Sequence, residues 1–156
     1  MSTPTKEQAV KAYQTADAAG KKLLIGLWGE ETFASKLRLP ISVEEAFKGM
    51  KLNLKKDIPF PEPKHLRQEV ANARFMLEVI AEYMQNGHVF NWNDPNEKKY
   101  YGVFNMAGFG FSVTAYVITY TDTIVGSRLS FQTPEQTEHF CKQFLDLHKL
   151  VLTNKK

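Results

Sequence analysis

Leu66, Val70, Ala73, Leu77, Ile80 and Met84 step along the chain by four, three, four, three and four residues. That spacing puts all six on one face of an α-helix of about five turns. Phe75, Met76, Val79 and Tyr83 widen the face, so the helix is expected to be buried on more than one side. Gly87 stops it. The period then changes to two, and residues 100–106, 109–120 and 124–131 read as three strands. In the second strand Phe109, Phe111, Val113, Ala115 and Val117 are predicted to face a core, with Ser112, Thr114, Tyr116, Ile118 and Tyr120 opposite. Thr121-Asp122-Thr123 reads as a hairpin turn. Val125, Leu129 and Phe131 share the core face of the third strand, which leaves Arg128 and Ser130 on the other.

The sheet is bracketed by helices. Thr133-Pro134-Glu135-Gln136 combines a cap, a proline at the first helical position and an amide at the third. Phe140, Phe144, Leu147 and Val151 line the inner face of the final helix it starts. Upstream, Thr5-Lys6-Glu7-Gln8 and Ser42-Val43-Glu44-Glu45 both have the form of a capping box. Behind the first, Val10, Tyr13, Ala16, Gly20, Leu24 and Leu27 mark one face, of a single helix through Gly20 or of two that meet there. Three prolines between residues 59 and 63 make a stiff connector. The predicted fold is α+β in a single domain, residues 1–156. A helical N-terminal part (1–58) and the connector (59–63) precede a helix, a three-stranded antiparallel sheet and a helix (64–156).

Composition narrows the function. With 156 residues, 43% hydrophobic and 24% charged, the chain can bury a core of its own. Lys and Arg total 20 against 17 Asp and Glu, a net charge of +3, which is mild for a dedicated nucleic-acid binder. The one cysteine, Cys141, excludes an internal disulfide and a multi-cysteine zinc site. The N-terminus has no basic-then-apolar signal pattern. The longest apolar run, LLIGLW at 23–28, is far short of a membrane span. The expectation is a soluble protein that is not secreted by a signal peptide.

Motifs for chemistry are sparse. Cys141 shares a helix face with His148, but seven helical residues separate them by about 10.5 Å, and His139 faces elsewhere. Cys141 therefore reads as a core cysteine. His65, His88, His139 and His148 have no metal-ligand spacing. Asn91, Asn93, Asp94, Asn96 and Glu97 faintly resemble a calcium loop, but Pro95 sits where a ligand belongs and the required glycine is missing. Gly108 and Gly110 do not complete a phosphate-binding motif. No catalytic residue, metal or cofactor is expected. What stands out is NWNDPNEKKYYGVFNM at 91–106. Trp92, Asn93, Asp94, Lys98, Lys99, Tyr100 and Tyr101, with Tyr116, Tyr120 and Arg128 from the sheet, could form one aromatic and basic contact surface. In the competing reading Trp92 folds back to close the core edge and the lysines are merely solvated.

Four stretches carry a resemblance: GLWGEETF followed by SVEEAFKGM, MLEVIAEYMQNG, NWNDPNEKKYYGVFNM and VGSRLSFQTPEQTEHFCKQFLDLHK. Together they resemble a family of small proteins from phages and prophages of Bacteroidetes bacteria, including crAss-like phages, over roughly residues 20–150. The resemblance implies a setting, the virion or the cytoplasm of the infected bacterium, and no chemistry. YYGVFNM and SFQTPEQTEHF also resemble, more weakly, the three-strands-plus-helix layout of the Apetala-type DNA-binding domains, which present a basic aromatic sheet face to DNA. The expected function is a non-enzymatic binding or assembly protein that contacts a protein partner or itself. The alternative is a nucleic-acid-binding accessory protein using the same face.

Overall fold

The computed structural model describes residues 5–33, 37–106 and 111–155. These form two compact units that divide between residues 36 and 37. The first contains α1 (Lys6–Thr15), α2 (Ala18–Trp28) and α3 (Glu30–Phe33). The Thr5 capping box is present, Thr5 Oγ1 accepting from the Gln8 N–H at 3.3 Å and Gln8 Oε1 from the Thr5 N–H at 2.9 Å. Two helices meet here, at Ala16–Asp17 rather than at Gly20, because Asp17 caps α2 by accepting from the Gly20 N–H at 2.8 Å. The break resets the helical face. Leu27, expected on the buried side, is 70% exposed.

The second unit holds α4 (Val43–Gly49), α5 (Leu66–Gln85), β1 (Lys99–Asn105), β2 (Ser112–Thr119), a 3-10 turn (Ser127–Leu129), α6 (Pro134–Gln143) and α7 (Leu145–Thr153). Helices pack against an antiparallel sheet, with α6 on both strands, in the α+β order read from the sequence. The α5 face is as expected, with Val70, Ala73, Leu77, Ile80 and Met84 buried and Leu66, in the first turn, partly exposed. The core joins Leu77, Ile80, Ala81 and Met84 of α5 to Phe131, to Ala46 of α4, to Phe140 and Cys141 of α6, and to Phe144 between α6 and α7.

The proline-rich connector does not divide the chain. Helix α4 on its N-terminal side packs on α5, and Phe47 is buried beside Phe75, their ring centroids 6.1 Å apart. The connector is clamped by buried Asn72, whose amide accepts from the Phe60 N–H at 2.9 Å and donates to the Phe60 carbonyl at 2.8 Å.

The sheet departs from expectation at its third member. β1 and β2 pair in register from Lys99↔Thr119 to Asn105↔Ser112, with an irregularity between Val103 and Phe104. On the other edge of β1, among the described residues, only Phe131 pairs, exchanging both hydrogen bonds with Tyr100 at 2.8 and 2.9 Å. Side chains divert residues 124–130 from strand geometry. Thr123 Oγ1 accepts from the N–H groups of Val125 and Gly126, Gly126 has φ +71°, and Ser130 Oγ donates to the Gly126 carbonyl. Gln85 Nε2 then donates to the carbonyls of Ser127 and Ser130, both at 2.7 Å, and holds the 3-10 turn against the end of α5.

The final helix is two helices, broken at Phe144 (φ −112°, ψ 32°). The start of α6 is tied to the end of α5 through buried Gln136, whose Nε2 donates to the Met84 carbonyl at 2.8 Å. Among the described residues no helix is long and apolar enough to cross a membrane.

Candidate functional site

The polar aromatic stretch folds around Lys99. Its side chain is fully buried. Nζ donates to the carbonyls of Asn91 (3.0 Å), Glu97 (3.1 Å) and Tyr120 (2.6 Å) and pairs with Glu97 Oε2 at 3.0 Å. It also lies 4.9 Å from the Trp92 ring centre and 6.0 Å from that of Phe90. A buried ammonium is tolerated only with this degree of compensation. Glu97 completes the knot, Oε2 accepting from the Asn91 N–H at 2.7 Å and Oε1 lying 3.1 Å from His88 Nε2. Trp92 Nε1 donates to Ser127 Oγ at 2.6 Å. Asn91 and Asp94 make side-chain turns by accepting from the N–H groups of Asn93 and Asn96.

This arrangement separates the nominated residues. Lys99, Tyr100 and Tyr101 are buried and Trp92 is half-buried, so they hold the fold instead of facing a partner. Asn93 and Lys98 are exposed at the loop surface, and Asp94 is half-buried. Arg128 is exposed, beside a groove lined by Glu78, Glu82 and Gln85, and it pairs with Glu78 at 2.9 Å. The basic face read from the sequence is thus reduced, with one cation buried and another neutralised.

Tyr116 and Tyr120 remain at the surface, on and just beyond β2. They are 37% and 38% exposed, with Val117 at 36% and Ile118 at 42% between them. The predicted core face of this strand is therefore not a buried one: Ala115 and Val117 are exposed and Val113 is half-buried. Phe109 lies outside the described residues. The physical reason is position, since β2 is the end strand of the sheet. Among the described residues, only β1 pairs with it. Tyr100 spends its backbone groups on Phe131, so alternation turns those of Lys99, Tyr101 and Val103 toward β2. Their partners are Thr119, Val117 and Ala115. The N–H and C=O groups of Tyr116 and Ile118 consequently point to the open edge.

A second feature was not found by sequence reasoning. A cavity of about 370 Å³ opens between β1, α5, α6, α7 and residues 124–129. Among the described residues its lining is apolar apart from Tyr101, Cys141 and His148, with no acidic residue, lysine or arginine. Because the final helix breaks at Phe144, Cys141 and His148 both line this space, and a continuous-helix separation does not describe them. Burial pushes the Cys141 thiol up to about 12, far from a reactive thiolate. Burial pulls His148 down to about 4, opposed by a hydrogen bond to the Phe140 backbone. Among the described residues its Nε2, closed to solvent, has no partner. A polar atom buried without a partner costs about 1–3 kcal/mol. Phe104 and Phe140 flank the imidazole at centroid distances of 4.6 and 4.8 Å. Among the described residues no group of three His, Cys, Asp or Glu side chains is placed to hold a metal ion.

Comparison with known proteins gives no match to any family model, curated protein or solved structure.

Proposed function

We propose that this chain is a non-enzymatic assembly protein that associates with itself by strand addition at β2. The observation that carries the reading is the outer edge of that strand. SVTAYVIT contains no charge and no proline, the features by which proteins ordinarily protect a free edge. A strand added there gains main-chain hydrogen bonds together with side-chain contacts.

A second copy fits the edge by symmetry. Two β2 strands related by a two-fold axis at Val117 set Tyr116 opposite Ile118 twice, each pair exchanging N–H···O=C bonds. Aromatic against β-branched is a favourable cross-strand pair. Of the two cations named for a nucleic acid, Arg128 pairs with Glu78 and Lys98 stays exposed at the loop surface, while the neighbouring Lys99 is buried, so among the described residues one unpaired cation is left on that face. Cys141 offers no thiolate nucleophile at neutral pH, because burial pushes its thiol up to about 12. The resemblance to phage and prophage proteins supports a setting in the virion or the infected bacterium.

The symmetry makes a sharp test. Val117 meets its own copy in a non-hydrogen-bonded pair with Cα atoms about 4.5 Å apart, within the range a disulfide spans. Val117→Cys is expected to give a covalent dimer on mild oxidation. Leu152→Cys, exposed on another element, is expected to give none. A Val117→Cys protein that stays monomeric, or a Leu152→Cys protein that cross-links equally well, sinks the reading.

A further inference from the structure

We infer that Asn86–Gly87, at the end of α5, is a self-modification site, where the Gly87 backbone nitrogen displaces the Asn86 side-chain amide and water then leaves aspartate or isoaspartate. This site is independent of the β2 edge.

Asparagine is chemically labile, and most so where the next residue has no Cβ to hinder attack. Asn86 is the one asparagine in the chain followed by glycine. Both residues are exposed. Among the described residues neither the Asn86 side-chain amide nor the Gly87 N–H has a hydrogen-bond partner, so neither is held away from reaction. A Cβ built on Gly87 would meet nothing within 4 Å, which leaves open space for a ring to close.

In the reaction the Gly87 nitrogen gives its proton to a solvent base and bonds to Asn86 Cγ. The Cγ–Nδ2 bond breaks, and the amide nitrogen leaves with a proton as ammonia. Water then opens the cyclic imide, adding its hydroxyl to one of the two ring carbonyls and a proton to the nitrogen. Opening at Cγ gives aspartate, and opening at the main-chain carbonyl gives isoaspartate. No oxidant or reductant is involved.

The cap of α5 controls the step. Asn86 stands in the left-handed region, φ 53° and ψ 43°, which asparagine tolerates. At that ψ the Gly87 nitrogen lies anti to Cβ across the Cα–C bond, so the ring closes only after rotation about this bond. The rotation breaks the 3.1 Å hydrogen bond from the His88 N–H to the Gln85 carbonyl, and fraying helix ends open at little cost. Either product places a carboxylate at the C-terminal end of α5, against the helix dipole and four residues after Glu82. Isoaspartate also lengthens the main chain just ahead of His88, whose ring meets Glu97. The reaction thus ages the join between α5 and the loop around Lys99.

The full chain is held in mildly alkaline buffer and sampled over days against a zero-time control. Trypsin, cutting after Arg74 and Lys98, releases one peptide that carries Asn86, Asn91, Asn93 and Asn96. The expected shift is the amide-to-acid gain in mass at Asn86 ahead of the other three, with isoaspartate beside aspartate. Isoaspartate marks the cyclic route, since direct hydrolysis of the amide gives aspartate alone. Denaturant is expected to speed the reaction at Asn86, because ψ is then free. Gly87→Ala, compared in denaturant where its positive φ costs nothing, is expected to react more slowly. No conversion at Asn86, conversion no faster than at the other three, aspartate without isoaspartate, or a rate that denaturant leaves unchanged would each overturn the proposal.

Discussion

His148 is the residue whose surroundings speak most directly in solution. In the unfolded chain a histidine takes up its proton near pH 6.5, while the folded ring resists until about 4. Between those values the unfolded state binds more protons, so stability rises with pH across the window. The contribution is complete above pH 6.5 and gone below about 4, roughly 3 kcal/mol in all. Denaturant midpoints measured from pH 4 to 7 should show that rise, and His148→Leu should flatten it. A variant with the same slope would mean that other groups carry the acid sensitivity. Sequence alone identified this histidine as lacking a metal-type spacing and set it on one helix face with Cys141, but its burial rests on the ring of Phe104, brought to it from β1, and on that of Phe140. Lys99 is a parallel case. A lysine in a polar loop reads as solvated, and only the convergence of three carbonyls and a carboxylate from 91 to 120 turns it inward.

Between elements, sheet and helix approach closely at Gly102. A Cβ there would collide with Cys141 Sγ, so β1 can lie on α6 only with glycine at this position. Gly102→Ala is expected to lower stability by about 1–3 kcal/mol through overpacking. Cys141→Ala in the same chain should return part of that loss, because it removes the sulfur that the new methyl meets. Chemical denaturation of both variants checks it, and a double variant no better than the single one would contradict the contact. Helices were the legible elements, since α5 and the Thr5, Ser42 and Thr133 caps follow from local spacing alone. The third strand was not. Alternating Val125, Leu129 and Phe131 resemble a strand, but Gly126 and the hydroxyls of Thr123 and Ser130 give the backbone competing partners. A single pairing at Phe131 is what remains.

At the scale of the molecule, burial reverses the weight given to the polar aromatic loop. Its Lys99, Tyr100 and Tyr101 are interior and Trp92 is half-buried, while Asn93 and Lys98 face outward from the loop, and Tyr116, Tyr120 and Arg128 from beyond it. Periodicity could not reveal this, because which strand ends a sheet is settled by long-range pairing. Sedimentation equilibrium on the unaltered protein and on Tyr116→Lys/Ile118→Lys is the most direct test of assembly through that edge. Ile118 is exposed and Tyr116 packs edge-on against Tyr100, so the fold of the variant is checked by circular dichroism; the lysines place like charges across the two-fold axis. The account expects a reversible dimer for the unaltered chain and a monomer for the variant at the same concentration. A monomeric unaltered protein at every concentration, or a dimer that the lysines leave unchanged, would contradict it.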